Sequence, residues 1–237
     1  MKIGIMQPYF FPYLGYWQTL FAVDKYVIYD DVNYIKNGWI NRNNILLNGN
    51  KFLITLPLDK ASPFLPISQI KITPNTVQKQ KLLKTIESAY KKAPYFEKIY
   101  PIVREVILDE SLLISNALIK QFNMVCEYLN IKTELIVSSQ LAKNTNLSGQ
   151  EKVIHICKLL GGDQYINAIG GQELYSFEDF SKEGITLSFM KTNFTEYKQF
   201  KNEFVPGLSI LDILMFNSPN DVLKMLNNFE LITTNRG

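Results

Sequence analysis

Apolar residues follow two rhythms along this chain. Short unbroken runs bounded by turn residues alternate with longer stretches of helical spacing. KIGIMQ (2–7) and KYVIYDD (25–31) are short runs, the second ending in two carboxylates. TELIVS (133–138), QYINAIGG (164–171) and ITLSFMK (185–191) are three more, the last taken as the final strand. Such runs fit strands buried on both faces, as in a parallel sheet. KFLITLPL (51–58), after an Asn-Gly-Asn turn at 48–50, and ISQIKIT (67–73) alternate instead and read as further strands. Helical spacing places Leu14, Trp17, Leu20 and Phe21 on one face of 14–22. It returns at 76–90 after a Pro-Asn start, at 97–109, and at 111–129 with Ser111 as the N-cap. SGQEKVIHICKLL (148–160) carries capping-box spacing at Ser148 and Glu151 and stops at Gly161-Gly162. Ser209 and Ser218 open two short helices near the end.

Strands alternating with helices predict an α/β fold. The expected form is a largely parallel, Rossmann-like sheet with helices on both faces. A helical segment lies near 76–130, and one domain spans 1–237. Open α/β sheets bind ligands beyond the carboxyl ends of their strands. That rule points to Gln7–Tyr16, Asp30–Asn44, Ser138–Ser148 and Ala168–Tyr175.

Charge changes the picture little. The net charge is +3, from 25 basic and 22 acidic residues, too small to argue for DNA or an anionic membrane. No apolar stretch approaches the roughly 20 residues of a membrane span, and no secretory leader is recognisable, so a soluble, cytoplasmic protein is expected. The two cysteines, Cys126 and Cys157, sit among apolar neighbours and read as reduced core residues. One histidine and two separated cysteines do not make a usual zinc site, and no metal is expected. His155 reads as a neutral side chain at the edge of its helix; Cys157, two positions on, does not face it. Tyr90, Tyr95 and Tyr100 are candidates for a surface interface.

Three stretches carry candidate chemistry. In IGIMQPYFFPYLGY, Pro8 and Pro12 stiffen the first turn and hold the residues before them extended. Gly15 permits close approach at the helix start. Gln7, Pro8, Tyr9, Tyr13, Gly15 and Tyr16 therefore become substrate-binding candidates, against the plainer alternative of a βα turn whose rings fill the core. Asp30 and Asp31, adjacent on a strand, point to opposite faces and form no carboxylate dyad. Either is a candidate catalytic base, or a turn cap. NYIKNGWINRNNI is rich in aromatic, cationic and amide side chains and is too long for a plain connector. Lys36 and Arg42 suit phosphate, Trp39 suits stacking on a base or sugar, and Asn41 and Asn43 suit hydroxyls or amides. Ser148, Asn167, Gly170 and Gly171, at or beside strand ends, complete the binding set. No Walker, dinucleotide or nucleophile-elbow motif is present.

MKIGIMQPYFFPYLGYWQTL, KYVIYDDVNYIKNGWINRNNILLNG and LGGDQYINAIGGQELY together resemble the WbqC-like protein family over Lys2 to about Thr192. The resemblance implies a place among genes for surface polysaccharide, notably O-antigen. It implies transfer of glycine or a related acyl group onto an amino sugar. The sugar is expected to be nucleotide-linked. The implied acyl donor is a thioester, an aminoacyl-tRNA or a nucleotide-activated acid, with a carrier protein or partner enzyme as a further partner. At the level of fold, the first strand leads into YLGY where nucleotidyltransferases of the H-x-G-H class carry their two histidines. Tyr13 and Tyr16 replace both, which counts against adenylyl transfer by the usual chemistry. A nucleotide-binding enzyme of that shape and a non-catalytic sugar-nucleotide-binding protein remain the alternatives.

Overall fold

A computed structural model describes residues 1–201 and 203–233. Its centre is a six-stranded sheet in the order β10-β9-β8-β1-β2-β7. Strands β1 (Lys2–Met6), β2 (Lys25–Ile28), β7 (Glu134–Val137), β8 (Gln164–Ala168) and β9 (Thr186–Thr192) run parallel. Strand β10 (Phe229–Ile232) is antiparallel on the β9 edge. From β1 the chain moves outward to β2 and β7 on one side, then returns to β8 and β9 on the other. The connections thus diverge between β1 and β8, which makes that junction the topological switch point of a Rossmann-like sheet.

Helices cover both faces because successive residues of each strand point to opposite sides. Tyr26, Ile28, Ile166 and Met190 face one way. They pack with α1 (Leu14–Phe21), α2 (Thr76–Tyr90), α3 (Phe96–Ile107), α4 (Ile114–Leu129), α7 (Ile210–Phe216) and α8 (Pro219–Leu226). Ile3, Ile5, Val27, Tyr165 and Leu187 face the other way, onto α5 (Gly149–Leu159) and α6 (Phe177–Lys182). Among the described residues no helix is long and apolar enough to cross a membrane. Cys126 and Cys157 are free and buried, one in each of the two cores.

The predicted α/β sheet, the helical segment and most helix starts match the structure. Asn75 caps α2 by accepting from the Val77 and Gln78 N–H groups, and Ser209 and Ser218 cap α7 and α8. The expected stop at Gly161-Gly162 is a left-handed turn (Gly161 φ +74°) in which the Gly162 N–H donates back to the Cys157 carbonyl.

Several expectations fail for tertiary reasons. The strand expected at 51–58 is present as β4 (Asn50–Thr55), but it pairs with β3 (Arg42–Leu47), read as loop, in a separate hairpin around Asn48-Gly49 outside the six-stranded sheet. The polar connection 32–44 therefore ends inside a strand. Residues 67–73 form a 3₁₀ turn at Ile67–Gln69 and then a two-residue strand, β6 (Lys71–Ile72), paired with β5 (Leu58–Asp59). Ser111 does not cap α4, because a bridge between Lys71 and Leu113 keeps the chain extended for another turn. Ser148 is the N-cap of α5, but its side chain makes no capping bond. The 164–171 strand ends at Ala168, and Ile169–Leu174 coils into a 3₁₀ turn. Strand β10 follows the run expected to be last. Tyr90 is fully buried and lines no surface. Phe11 is not extended before Pro12 but left-handed (φ +40°), a conformation costing on the order of 1–3 kcal/mol. Its N–H donates to Gln121 Oε1 (2.7 Å), and its carbonyl accepts from Asn43 Nδ2 (2.8 Å) and Ser209 Oγ (2.7 Å). These bonds hold the strained residue in place.

Candidate functional site

At the carboxyl ends of β1 and β8, on the switch point, lies a cleft of about 600 Å³. Its first wall is the loop after β1, with Gln7, Tyr9 and Tyr13. Tyr16, at the start of α1, braces that wall from behind. Its hydroxyl donates to the Gln7 carbonyl (2.9 Å), and its ring lies 5.5 Å from that of Tyr9. The second wall is Tyr29, which follows β2 and whose N–H donates to the Met6 carbonyl (2.9 Å). The third comprises Asn167, Gly170, Gly171, Leu174 and Tyr175, beyond β8. Trp39 and Ile35 stand over it from the 32–41 loop, and Gly149 and Val153 close it from α5. Trp39 is placed through its backbone: its carbonyl accepts from the Phe10 N–H (3.0 Å).

Among the described residues no carboxylate, imidazole, thiol or amine lines the cleft; its polar side chains are phenols, amides and one indole. Burial pushes the phenols of Tyr9, Tyr13, Tyr29 and Tyr175 above the usual tyrosine range, so they stay neutral and act as hydrogen-bond groups. Among the described residues no group of three His, Cys, Asp or Glu gathers to hold a metal ion.

Of the residues singled out from the sequence, the cleft brings together Gln7, Tyr9, Tyr13, Trp39, Asn167, Gly170 and Gly171. Gly171 has a packing reason, since a Cβ there would sit 3.0 Å from Asn167 Nδ2, whereas Gly170 faces open space. The others lie off the cleft lining. Pro8 is buried. Gly15 lets α1 approach the end of β9, where a Cβ would come within 2.4 Å of Thr192 Oγ1 and 2.7 Å of the Tyr13 ring. Asn41 is buried between the Tyr34 hydroxyl and the Leu56 carbonyl, both at 2.9 Å. Asn43 donates to the Phe10 and Phe11 carbonyls, tying β3 to the first loop. Arg42 turns its guanidinium back onto the carbonyls of Asn37 and Gly38, where it braces the loop. Lys36 and Ser148 are exposed outside the lining.

The two aspartates point opposite ways, as adjacency requires, and neither reaches the cleft. Asp30 is 1% exposed. Its carboxylate accepts from Ser115 Oγ (2.7 Å), the Ser139 N–H (2.9 Å) and Ser139 Oγ (2.9 Å). Asp31 accepts from Ser138 Oγ (2.6 Å) and pairs with Lys143 and Lys152, each at 3.0 Å. Burial works to raise the Asp31 pKa, but the Ser138, Lys143 and Lys152 contacts outweigh it and hold the carboxyl below its usual range. Lys152 also lies over the Tyr29 ring, 5.0 Å from its centroid, so this ion cluster backs one wall of the cleft. His155 is partly buried, and its Nε2 accepts from the Asn144 N–H (3.2 Å), anchoring the 141–148 loop on α5.

Sequence reasoning missed Tyr29, Lys143 and Lys152 as parts of this region. Tyr29 was legible, because it ends an apolar run beside two flagged carboxylates. The lysines were not, since their partner is more than 100 positions away. It also missed a second buried carboxylate, Asp212 on α7. This accepts from Tyr197 (2.6 Å), Gln199 (2.7 Å) and Tyr90 (2.8 Å), and burial outweighs these bonds to push its pKa up.

The chain is similar to the uncharacterized protein Rv1507c of Mycobacterium tuberculosis. The two are 27% identical over 217 residues, covering 90% of this chain and 92% of that protein. No solved structure matches. A family model matches residues 7–224, a span containing nearly every residue of the cleft, and on that match the chain belongs to the WbqC-like protein family.

Proposed function

We propose that the protein binds a nucleotide-linked amino sugar in the switch-point cleft and transfers an acyl or aminoacyl group, such as glycyl, onto its amine during surface polysaccharide assembly. The observation that carries this reading is an uncharged cleft walled by aromatic rings at the place where sheets of this order hold ligands. In the transfer, the neutral amine nitrogen attacks the carbonyl carbon of the acyl donor. The C–N bond forms, the bond from that carbon to sulfur or oxygen breaks with its electron pair on the leaving atom, and the amine proton passes to the leaving group or to water. Backbone N–H groups of Gly170 and Gly171 are the candidate donors to the developing oxyanion. With no ionisable side chain in the walls except the neutral phenols, the protein contributes positioning and exclusion of water.

The test is mass spectrometry of nucleotide-linked amino sugars incubated with the protein and a glycyl thioester, glycyl-tRNA or glycyl adenylate. An N-acylated product that requires the protein supports the reading; no product with any donor refutes it. The lack of a carboxylate, imidazole, thiol or amine in the lining favours a second reading, a non-catalytic sugar-nucleotide-binding protein that serves a partner enzyme. Calorimetric binding without turnover selects that reading.

A further inference from the structure

A nucleotide-linked substrate has three chemically distinct parts, and the cleft suits them unequally. A pyrophosphate needs cations or a bank of free N–H groups. Among the described residues no Lys or Arg lines the cleft, and the turn of α5 that borders it already carries an acid, Glu151. A hexose needs polar partners around its whole rim, yet much of this lining is aliphatic, as with Met6, Val32, Ile35 and Leu174. A planar heteroaromatic ring asks for what is present: apolar and aromatic walls to stack against and a few hydrogen-bonding groups for the edge.

Two details support this match. Trp39 keeps its indole 45% exposed over the cleft while its backbone is fixed by the Phe10 N–H. Gln7 Oε1 is buried with no hydrogen-bond partner among the described residues. Such an orphaned acceptor is rare in folded proteins. Among the described residues no hydrogen bond holds the Gln7 amide, which belongs to the cleft wall, so its terminal group can turn to meet a donor without breaking one.

We propose that the cleft is a nucleobase pocket. The base stacks on Trp39 and gives an N–H from its edge to Gln7 Oε1, while the phosphates and the amino sugar extend outward past the Gly170–Gly171 turn, where Gly170 faces open space. This rests on the reading that the cleft holds a nucleotide-linked substrate, and it names the part that is gripped.

Intrinsic fluorescence tests it, because the chain has two tryptophans and Trp17 is fully buried, so quenching reports Trp39. The full chain is titrated with adenosine, guanosine, cytidine and uridine, and in parallel with a free hexosamine and with inorganic pyrophosphate. A nucleoside is expected to quench saturably, with affinity changing less than about two-fold between low and high salt, since no exposed ion pair is formed. Its N-methylated analogue, lacking the edge N–H, is expected to bind roughly ten-fold more weakly. Gln7→Leu should lose that discrimination while keeping the wild-type urea midpoint. Competition by pyrophosphate or hexosamine where nucleosides fail overturns the proposal, as does a steep salt dependence. If nucleotide-linked sugars bind and nucleosides do not, only the nucleobase assignment falls; if neither binds, the substrate reading falls with it.

Discussion

Truncating Asp30 separates a structural carboxylate from a chemical one. Its three hydrogen bonds join the end of β2 to Ser115 on α4 and to Ser139 in the turn after β7. Bonds to a charged acceptor contribute about 1.5–3 kcal/mol each, a gross sum of roughly 4–9 kcal/mol. Against this stands the cost of keeping a carboxylate out of water, several kcal/mol, which alanine relieves. What alanine leaves behind is an unpaired Ser139 N–H, two hydroxyls without their acceptor and a small void. The expected net loss for Asp30→Ala is about 3 kcal/mol, equivalent to roughly 6–12 °C in a protein of this size. Asp30→Asn should lose only about 1 kcal/mol: it retains an oxygen for the Ser139 N–H, and the two hydroxyls can rotate to accept from its amide. Urea unfolding followed by circular dichroism measures both. Ligand binding by the protein that remains folded should be unchanged, because Asp30 is outside the cleft. An Asp30→Ala variant with the wild-type urea midpoint and slope but no activity would refute the structural assignment and return Asp30 to the chemistry.

Four further outcomes follow from the same geometry. Asp31 has a folded pKa below its ordinary 3.8, so it contributes stability that is present above that value and lost as pH falls through the lower one. Asp31→Asn should flatten the stability curve below about pH 4, measured by urea midpoints across a pH series. Asp212, with its pKa raised chiefly by burial, has the opposite sign: its contribution is present below 3.8 and lost as pH rises through the folded value, and Asp212→Asn should remove that loss. Burial pushes both thiols up to about 12, so a disulfide reagent at mildly alkaline pH should label neither Cys126 nor Cys157 in the native protein and both after denaturation. Gly162→Ala would place a Cβ 2.3 Å from Cγ1 of the fully buried Ile3, and the expected cost is about 1–3 kcal/mol in urea unfolding, with an unchanged midpoint refuting it.

Local pattern read the sheet well and the loops poorly. The five parallel strands are apolar runs because both faces are covered, and that demand is written in each segment alone. Residues 42–47 gave no such signal, because the first half of β3 is the polar run Arg42, Asn43, Asn44, which resembles loop although Asn43 is buried. The strand-end rule pointed to segments that supply Gln7, Tyr9, Tyr13, Trp39, Gly170, Gly171 and Tyr175, all of which meet in the cleft. It erred where side-chain chemistry was taken for exposure. Asn41, Asn43 and Arg42 carry the right groups for a ligand, but they spend them on backbone carbonyls of Leu56, of Phe10 and Phe11 in the first loop, and of Gly38 in their own loop.

By itself the sequence determined the α/β class, the helix boundaries that have capping residues, and the set of rings at the first strand's end. Those follow from periodicity and turn chemistry, which act over a few residues. Tertiary structure alone decided which of the flagged groups face the cleft. Adjacent Asp30 and Asp31 diverge to Ser115 on one helix and Lys152 on another, partners 85 and 121 positions away. A carboxylate's role is set by what satisfies its charge, and here that charge is met by residues that only the folded sheet brings near.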